Sequence, residues 1–331
     1  MCDEKKPPFN KHLSSLVALI FAVLCSSPGA QTYPDKPLRL IVPYTAGGIT
    51  DSLSRNLAEL LRQDFKQPVI VENKPGANTA IGAQVLANSK PDGYTMLFIT
   101  PATVVTNPLL NSKLAYDPDR DLLMVARFAE IPLLAVVSVD STIRSLGDLI
   151  AQAKAKPGTF NYGSTGTGSS IHLATLLLAE RSGTEMVHIP FSGSAPSLAA
   201  LMTGSTQFTI DPPAASLPLI QGGKLRALAV SSRQRLTALP DVPTIAESGF
   251  PGFEASSWAG IVVPANTPKD IVLKLNQAIS RASENKEFRA KFEPLGVLFA
   301  PSMSPAQIDA SVKAEREQWG RIIQANNLQV N

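Results

Sequence analysis

Cysteine is nearly absent from this chain, and both copies, Cys2 and Cys25, lie in the first 30 residues. Beyond them there is no thiol, hence no disulfide, no thiolate metal ligand and no cysteine nucleophile, and the fold must hold by its core. Histidine is almost as scarce: past residue 30 only His172 and His188 remain. Neither a His-Glu-x-x-His metal motif nor a Gly-x-Ser-x-Gly nucleophile elbow occurs. Aromatic residues make up 6% of the chain, too few for a base-stacking surface. An excess of charge is missing too. The net charge is +3, and Met1–Ala30 supplies +1 of it, from Lys5, Lys6 and Lys11 against Asp3 and Glu4, which leaves +2. That balance gives no electrostatic case for nucleic acid.

The first 30 residues read as a leader. Three lysines precede the apolar run Leu13–Leu24, and Ser26, Ser27, Gly29 and Ala30 come after it. Basic region, short apolar core and small residues are the layout of a secretory signal peptide. The run is too short to span a bilayer comfortably, which disfavours the alternative of a membrane anchor. Leu24 before Cys25 disfavours lipidation, and Pro28 leaves the cleavage point near residue 30 open.

Past the leader, short apolar strands alternate with amphipathic helices. Strands are expected at Leu38–Val42, Val69–Glu72, Tyr94–Ile99, Leu133–Val139, Phe160–Tyr162, Val187–Pro190, Gln207–Ile210 and Leu225–Val230. Between them come helices. Leu53, Leu57, Leu60 and Leu61 mark the first, Ala77–Asn88 the second with Ile81 and Val85 inward, and Ser145–Ala155 a third capped by Ser145. Ser169–Arg181, Ser194–Thr203, Pro268–Asn285 and Pro305–Gln324 complete the set. Such alternation predicts an α/β fold of mostly parallel sheets flanked by helices. The length suits two lobes, 31–131 with 256–331 and 132–255, crossed at Val125–Leu134 and Ala255–Pro264. Ligands in open α/β sheets sit at the C-terminal ends of strands, so the loops after each strand are the ones to examine.

Four loops there carry the candidate ligand-binding residues. The first joins strand to helix through Tyr44, Ala46, Gly47, Gly48, Thr50 and Asp51. It is either a tight turn or a cradle whose amides meet an anion at a helix N-terminus, with Asp51 fixing the loop. The second, around Ala77 and Asn78, either caps its helix through Asn78 or Thr79 or offers a polar contact. Thr100, just past the third strand, joins the set. The third loop holds Ser164, Thr165, Gly166, Gly168, Ser169 and His172. No Gly-Lys-Ser/Thr comes after it, and Ile171 stands where a dinucleotide fingerprint needs its third glycine. Its hydroxyls and amides suit a carboxylate, and a helix cap is the plainer reading. The fourth region is Phe191 and Ser192 with Asp211, the last either a site residue or an Asx turn before Pro212. A Ser164–His172 pair is the one nucleophilic arrangement left, with a packing role for His172 as its plainer alternative.

Taken in order, Val42–Asp51, Val71–Ala77, Pro91–Thr95, Asn161–Ser164, Gly166–Ser169 with His172-Leu173, Gly193–Pro196, Gly223–Val230, Leu239–Thr244 and Glu247–Gly249 resemble the substrate-binding proteins of tripartite tricarboxylate transporters, the Bordetella uptake gene family. The resemblance covers nearly all the chain after the leader. It implies a periplasmic, two-lobed type II clamshell that acts as a monomer without cofactor or metal. It implies a small carboxylate gripped by two pincers, here Tyr44–Asp51 and Ser164–His172, through amides, hydroxyls and water. It also implies delivery to inner-membrane permease subunits, with signalling through a sensor kinase as the alternative and a secreted serine hydrolase using Ser164 or Ser169 as a remote third. Two departures stand out. The family's Pro-Tyr-Lys/Arg-Gly reads Pro190-Phe191-Ser192-Gly193 here, and its glycines in the second loop are replaced by Asn78 and Thr79. The lost positive charge is expected to favour a monocarboxylate over a tricarboxylate.

Overall fold

The computed structural model describes residues 33–299 and 303–328 together with Asp3; the expected leader, 1–30, lies outside the described residues. The chain divides into Met1–Lys36 and Pro37–Asn331. The second unit runs β1 (Leu38–Val42), α1 (Ile49–Phe65), β2 (Val69–Asn73), α2 (Ala80–Ala87), β3 (Thr95–Ile99), α3 (Asn107–Leu110), α4 (Pro118–Asp121), β4 (Leu122–Ile131), β5 (Leu134–Ser138), α5 (Leu146–Ala155) and β6 (Phe160–Ser164). It continues with α6 (Ser170–Ser182), β7 (Met186–Pro190), α7 (Ser194–Met202), β8 (Phe208–Asp211), α8 (Pro213–Gln221), β9 (Leu225–Val230), β10 (Ser257–Pro264), α9 (Lys269–Glu284), α10 (Lys286–Phe292) and α11 (Pro305–Ala325).

The strands form two five-stranded sheets, β2-β1-β3-β10-β4 and β7-β6-β8-β5-β9, and the fold is a two-lobed α/β one. Each sheet is half parallel and half antiparallel, not mostly parallel as expected. The parallel half comes from the strand–helix alternation: β1 with β2 and β3, β6 with β7 and β8. The antiparallel half comes from strands that come after a change of sheet. β10 runs against β3 and β4, and β5 against β8 and β9. The segments expected to be bare crossings, Val125–Leu134 and Ala255–Pro264, are therefore mostly β4 and β10, paired with each other over their length. Only residues 132–133 and the stretch before Ser257 pass between sheets.

Local signals decide the helices. α5 begins with a full capping box, the Ser145 hydroxyl accepting from the Asp148 amide while the Asp148 carboxylate accepts from the Ser145 amide. α1 buries Leu53, Leu57, Ala58 and Leu61 on one face. The helix expected over Ala77–Asn88 is split: a turn at Ala77–Thr79 precedes α2, and neither Asn78 nor Thr79 caps it. That shift rotates the helix. Ile81, expected inward, is 45% exposed, Val85 is half-buried, and Gly82, Ala83 and Leu86 form the buried face. A side chain at position 82 would meet the Pro43 ring, its Cβ 2.8 Å away, so glycine lets α2 settle against the end of β1.

Both passages between sheets are fastened by Ser231, which is fully buried. Its amide donates to Leu133 O (2.8 Å), and its hydroxyl accepts from the Leu133 amide (2.9 Å) and donates to Ala255 O (2.7 Å). The Ala255 amide in turn donates to Ser231 O (3.2 Å). Ser231→Ala leaves a buried donor and a buried acceptor without their partner. It should destabilise the protein by about 1–3 kcal/mol in urea unfolding; a loss under about 0.5 kcal/mol contradicts the role.

Candidate functional site

The first loop is locked from within. Asp51, almost fully buried in the first turn of α1, accepts from the Gly47 amide (3.0 Å) and Arg55 Nε (3.0 Å) on one oxygen and from Asn73 Nδ2 (2.9 Å) on the other. Asn73, at the end of β2, also donates to Tyr44 O (3.0 Å). Burial pushes the Asp51 carboxyl up, but the hydrogen bonds from Arg55, Gly47 and Asn73 outweigh it and hold its pKa at about 2. So Asp51 ties the loop together, and the Gly47 amide faces it. Gly47 has φ +91°, with open space where a side chain would stand. No side chain caps α1, which leaves its first-turn amides, next to the exposed Ala46 and Gly48 and half-buried Thr50, for another acceptor. The Tyr44 hydroxyl pairs with Thr100 Oγ1 at 2.6 Å; burial, partly opposed by that bond, raises the phenol pKa to about 12.

The second loop is strained. Ala77, Asn78 and Thr79 stand at φ +45°, +47° and +78°, three consecutive non-glycine residues in the left-handed region. Left-handed helical turns cost about 1–2 kcal/mol per residue, so the surroundings must hold this one. Asn78 Nδ2 donates to Asn107 Oδ1 (2.8 Å), and Asn107 Nδ2 returns a bond to Asn78 O (2.7 Å). The Thr79 and Thr103 hydroxyls pair at 2.9 Å. Tyr116 donates to Thr103 O (2.5 Å) and lies 3.2 Å from Asn107 Nδ2. Thr103, Asn107 and Tyr116 are not among the candidates that the sequence suggests. The Asn-Pro pair opening α3 is the available signal for Asn107.

The third loop closes on itself as well. Ser164 Oγ lies 2.5 Å from His188 Nε2 and accepts from the Gly166 amide (3.0 Å). The serine's histidine partner is thus His188 and not His172, because β6 and β7 pair Tyr162 with His188. His172 Nδ1 accepts from the Gly168 amide (3.0 Å), while Ser169 Oγ caps α6 by accepting from the His172 amide (3.2 Å). The two imidazoles stack at 3.9 Å with Tyr162 beside them. Burial, helped by His188, drives the His172 pKa down to about 3, and burial lowers that of His188. Both rings are neutral, so this is a packed platform under the loop. The hydroxyls of Thr165, Thr167 and Ser170 have no hydrogen bond among the described residues.

The fourth region adjoins the third, the Phe191 amide donating to Ser164 O at 2.9 Å, with Ser192 exposed. Asp211 is fully buried at the end of β8, and neither carboxylate oxygen finds a hydrogen bond among the described residues, so no Asx turn forms. Burial raises its pKa to about 7, with nearby Ser194 pulling the other way. Gly168 meets Leu110 of α3, on the other sheet's side, so closely that any added Cβ would overlap it. The candidate loops are thereby joined through residues 100–110. A groove of about 870 Å³ shares none of these residues. Several of its charges are paired in place: Arg127 with Glu315 (2.6 Å) and Glu130 (3.4 Å), Arg233 with Glu254 (2.6 Å), and Glu315 with Trp258 Nε1 (2.8 Å).

Residues 53–328 match the profile of the tripartite tricarboxylate transporter family receptor. The chain belongs to that family. BugT of Bordetella pertussis is 35% identical over 304 residues, 91% of this chain and 93% of that protein. Among solved structures, Rpa4515 of R. palustris with adipate is 34% identical with a TM-score of 0.81, covering 90% of this chain and 99% of that one. MatC (Rpa3494) from Rhodopseudomonas palustris with bound malate is 30% identical with a TM-score of 0.76, covering 88% and 100%. The protein is a solute-binding protein and not an enzyme, which removes the hydrolase alternative.

Two buried groups give this site opposite pH dependences. Asp211 keeps its proton to about pH 7, whereas an unfolded aspartate loses it near 3.8; stability from this group is full below 3.8 and falls as pH rises toward 7. His172 stays neutral down to about 3, whereas an unfolded histidine takes a proton near 6.5, so its contribution is lost as pH falls from 6.5 toward 3. Asp211→Asn removes only the first. Its melting temperature relative to the native protein should climb between pH 4 and pH 8; a constant difference across that range contradicts the assignment.

Proposed function

We propose that this protein captures a small organic acid of low charge in the periplasm and delivers it to a tripartite tricarboxylate-type permease of the inner membrane. On this reading residues 31–131 and 256–331 form one lobe and 132–255 the other, and the ligand lies between Tyr44–Asp51 and Ser164–His172. Closing of the lobes around it creates the surface that the permease recognises, driven by the difference in affinity between open and closed forms. The observation that carries the reading is the composition of these two loops. They offer main-chain amides and hydroxyls at strand ends and an uncapped helix N-terminus, while Arg55 is engaged by Asp51 and Asn73. Such donors satisfy a carboxylate by charge-assisted hydrogen bonds worth about 1.5–3 kcal/mol each. The adipate and malate bound by the two R. palustris relatives support the ligand class. The leader-like first 30 residues support export. Ser192, where the family carries a lysine or arginine, supports low ligand charge.

The test is native mass spectrometry of the purified protein, then thermal-shift titrations with mono-, di- and tricarboxylates. A mono- or dicarboxylate should raise the melting temperature by mass action more than citrate does. Citrate as the tightest ligand overturns the low-charge reading, and no response to any carboxylate overturns the class. Gly47→Val should weaken the best ligand at least about tenfold with the fold intact, since a β-branched residue is not tolerated at φ +91° and the loop must change shape.

A further inference from the structure

Residues 100–110 leave β3, make one π turn at Ala102–Thr106 and enter α3. Four of their side chains, Thr100, Thr103, Asn107 and Leu110, each meet a different part of the candidate site: Tyr44, Thr79, Asn78 and Gly168. Of these, Asn107 has the most to hold. It is 5% exposed, and its amide bonds Asn78 in both directions and reaches the Thr79 hydroxyl (3.4 Å) and the Tyr116 hydroxyl. What it holds is the left-handed run Ala77–Thr79, which has no glycine to relax into that shape. Ala77 and Asn78 are exposed. Asn107 thus engages both the side-chain nitrogen and the carbonyl of Asn78 and fixes how this exposed turn is presented.

We propose that Asn107 is a positioning residue for ligand selection. By fixing Ala77–Thr79 in the left-handed turn it sets which backbone donors of the second loop face the bound acid and how long an acid fits beside them. The inference rests on the carboxylate-binding reading above. It differs from a purely architectural role in one respect: the need for Asn107 disappears once the turn costs nothing.

That difference is testable with adipate and malate as probes, by calorimetric titration of four proteins: native, Asn107→Ala, Ala77→Gly/Asn78→Gly, and all three substitutions together. Asn107→Ala should weaken the better probe about tenfold, the scale of one lost hydrogen bond to a charged group. It should also change the adipate-to-malate affinity ratio at least about threefold, which loss of stability alone does not do. In the glycine background, where positive φ is freely adopted, Asn107→Ala should change affinity less than about threefold. An equal loss in both backgrounds, or none in either, overturns the proposal. Asn107→Asp, isosteric and lacking the amide donor, should shift affinity and ratio in the same direction, and stands in if the alanine variant fails to fold. Should the native protein bind neither probe, the failure lies with the choice of ligand class. Hydrogen exchange at the amides of 77–80 then decides the turn itself: faster exchange in Asn107→Ala but not in the glycine background supports the proposal, and unchanged exchange overturns it.

Discussion

Two sheets built from one chain depend on the two places where the chain changes sheet, and both run past the same buried serine. Ser231 uses its amide, its carbonyl and its hydroxyl on Leu133 and Ala255. A hydrogen bond of this kind is modest in net terms, but a buried polar group left without it is costly. The consequence is positional. The passages are held at one point while β4 and β10 extend away from it as a paired ribbon. The two sheets are thereby tied to one another through the few residues on either side of Ser231.

The strand ends themselves store strain and organise around it. Two glycine amides, those of Gly47 and Gly168, are engaged inside their own loops, by Asp51 and His172. These bonds shape the loops and so decide which other amides point outward. The second loop goes further, with three residues in a conformation that only neighbouring bonds sustain. Residues 100–110 are the common support, touching loops that arise from both sheets. The geometry of the site thus belongs less to any one loop than to the short helical segment behind them.

Much of this is legible in the sequence, and the limits have a physical pattern. Strand and helix positions come from periodicity, and the Ser145 cap from a three-residue spacing, because both signals are local. The antiparallel halves of the sheets are not legible, since β10 and β4 lie far apart in sequence and nothing local fixes their direction. Spacing alone misplaces Ile81 because the turn before α2 is left-handed without glycine, which moves the start of the helix and turns its faces. Proximity along the chain matches Ser164 with His172, whereas the parallel register of β6 and β7 brings His188 to it. Asn107 carries only a helix-start signal, its role being created by partners almost thirty residues upstream.

Gly168 illustrates a different kind of constraint. Its position is set by an absence, since the Leu110 side chain occupies the space a methyl group would need. A residue with a side chain at 168 would have to push the Leu110 side chain aside and also adopt φ +76°, so a map of tolerated substitutions would favour glycine there on two counts. Where this loop meets α3, the approach is as close as it is because a side chain is not there.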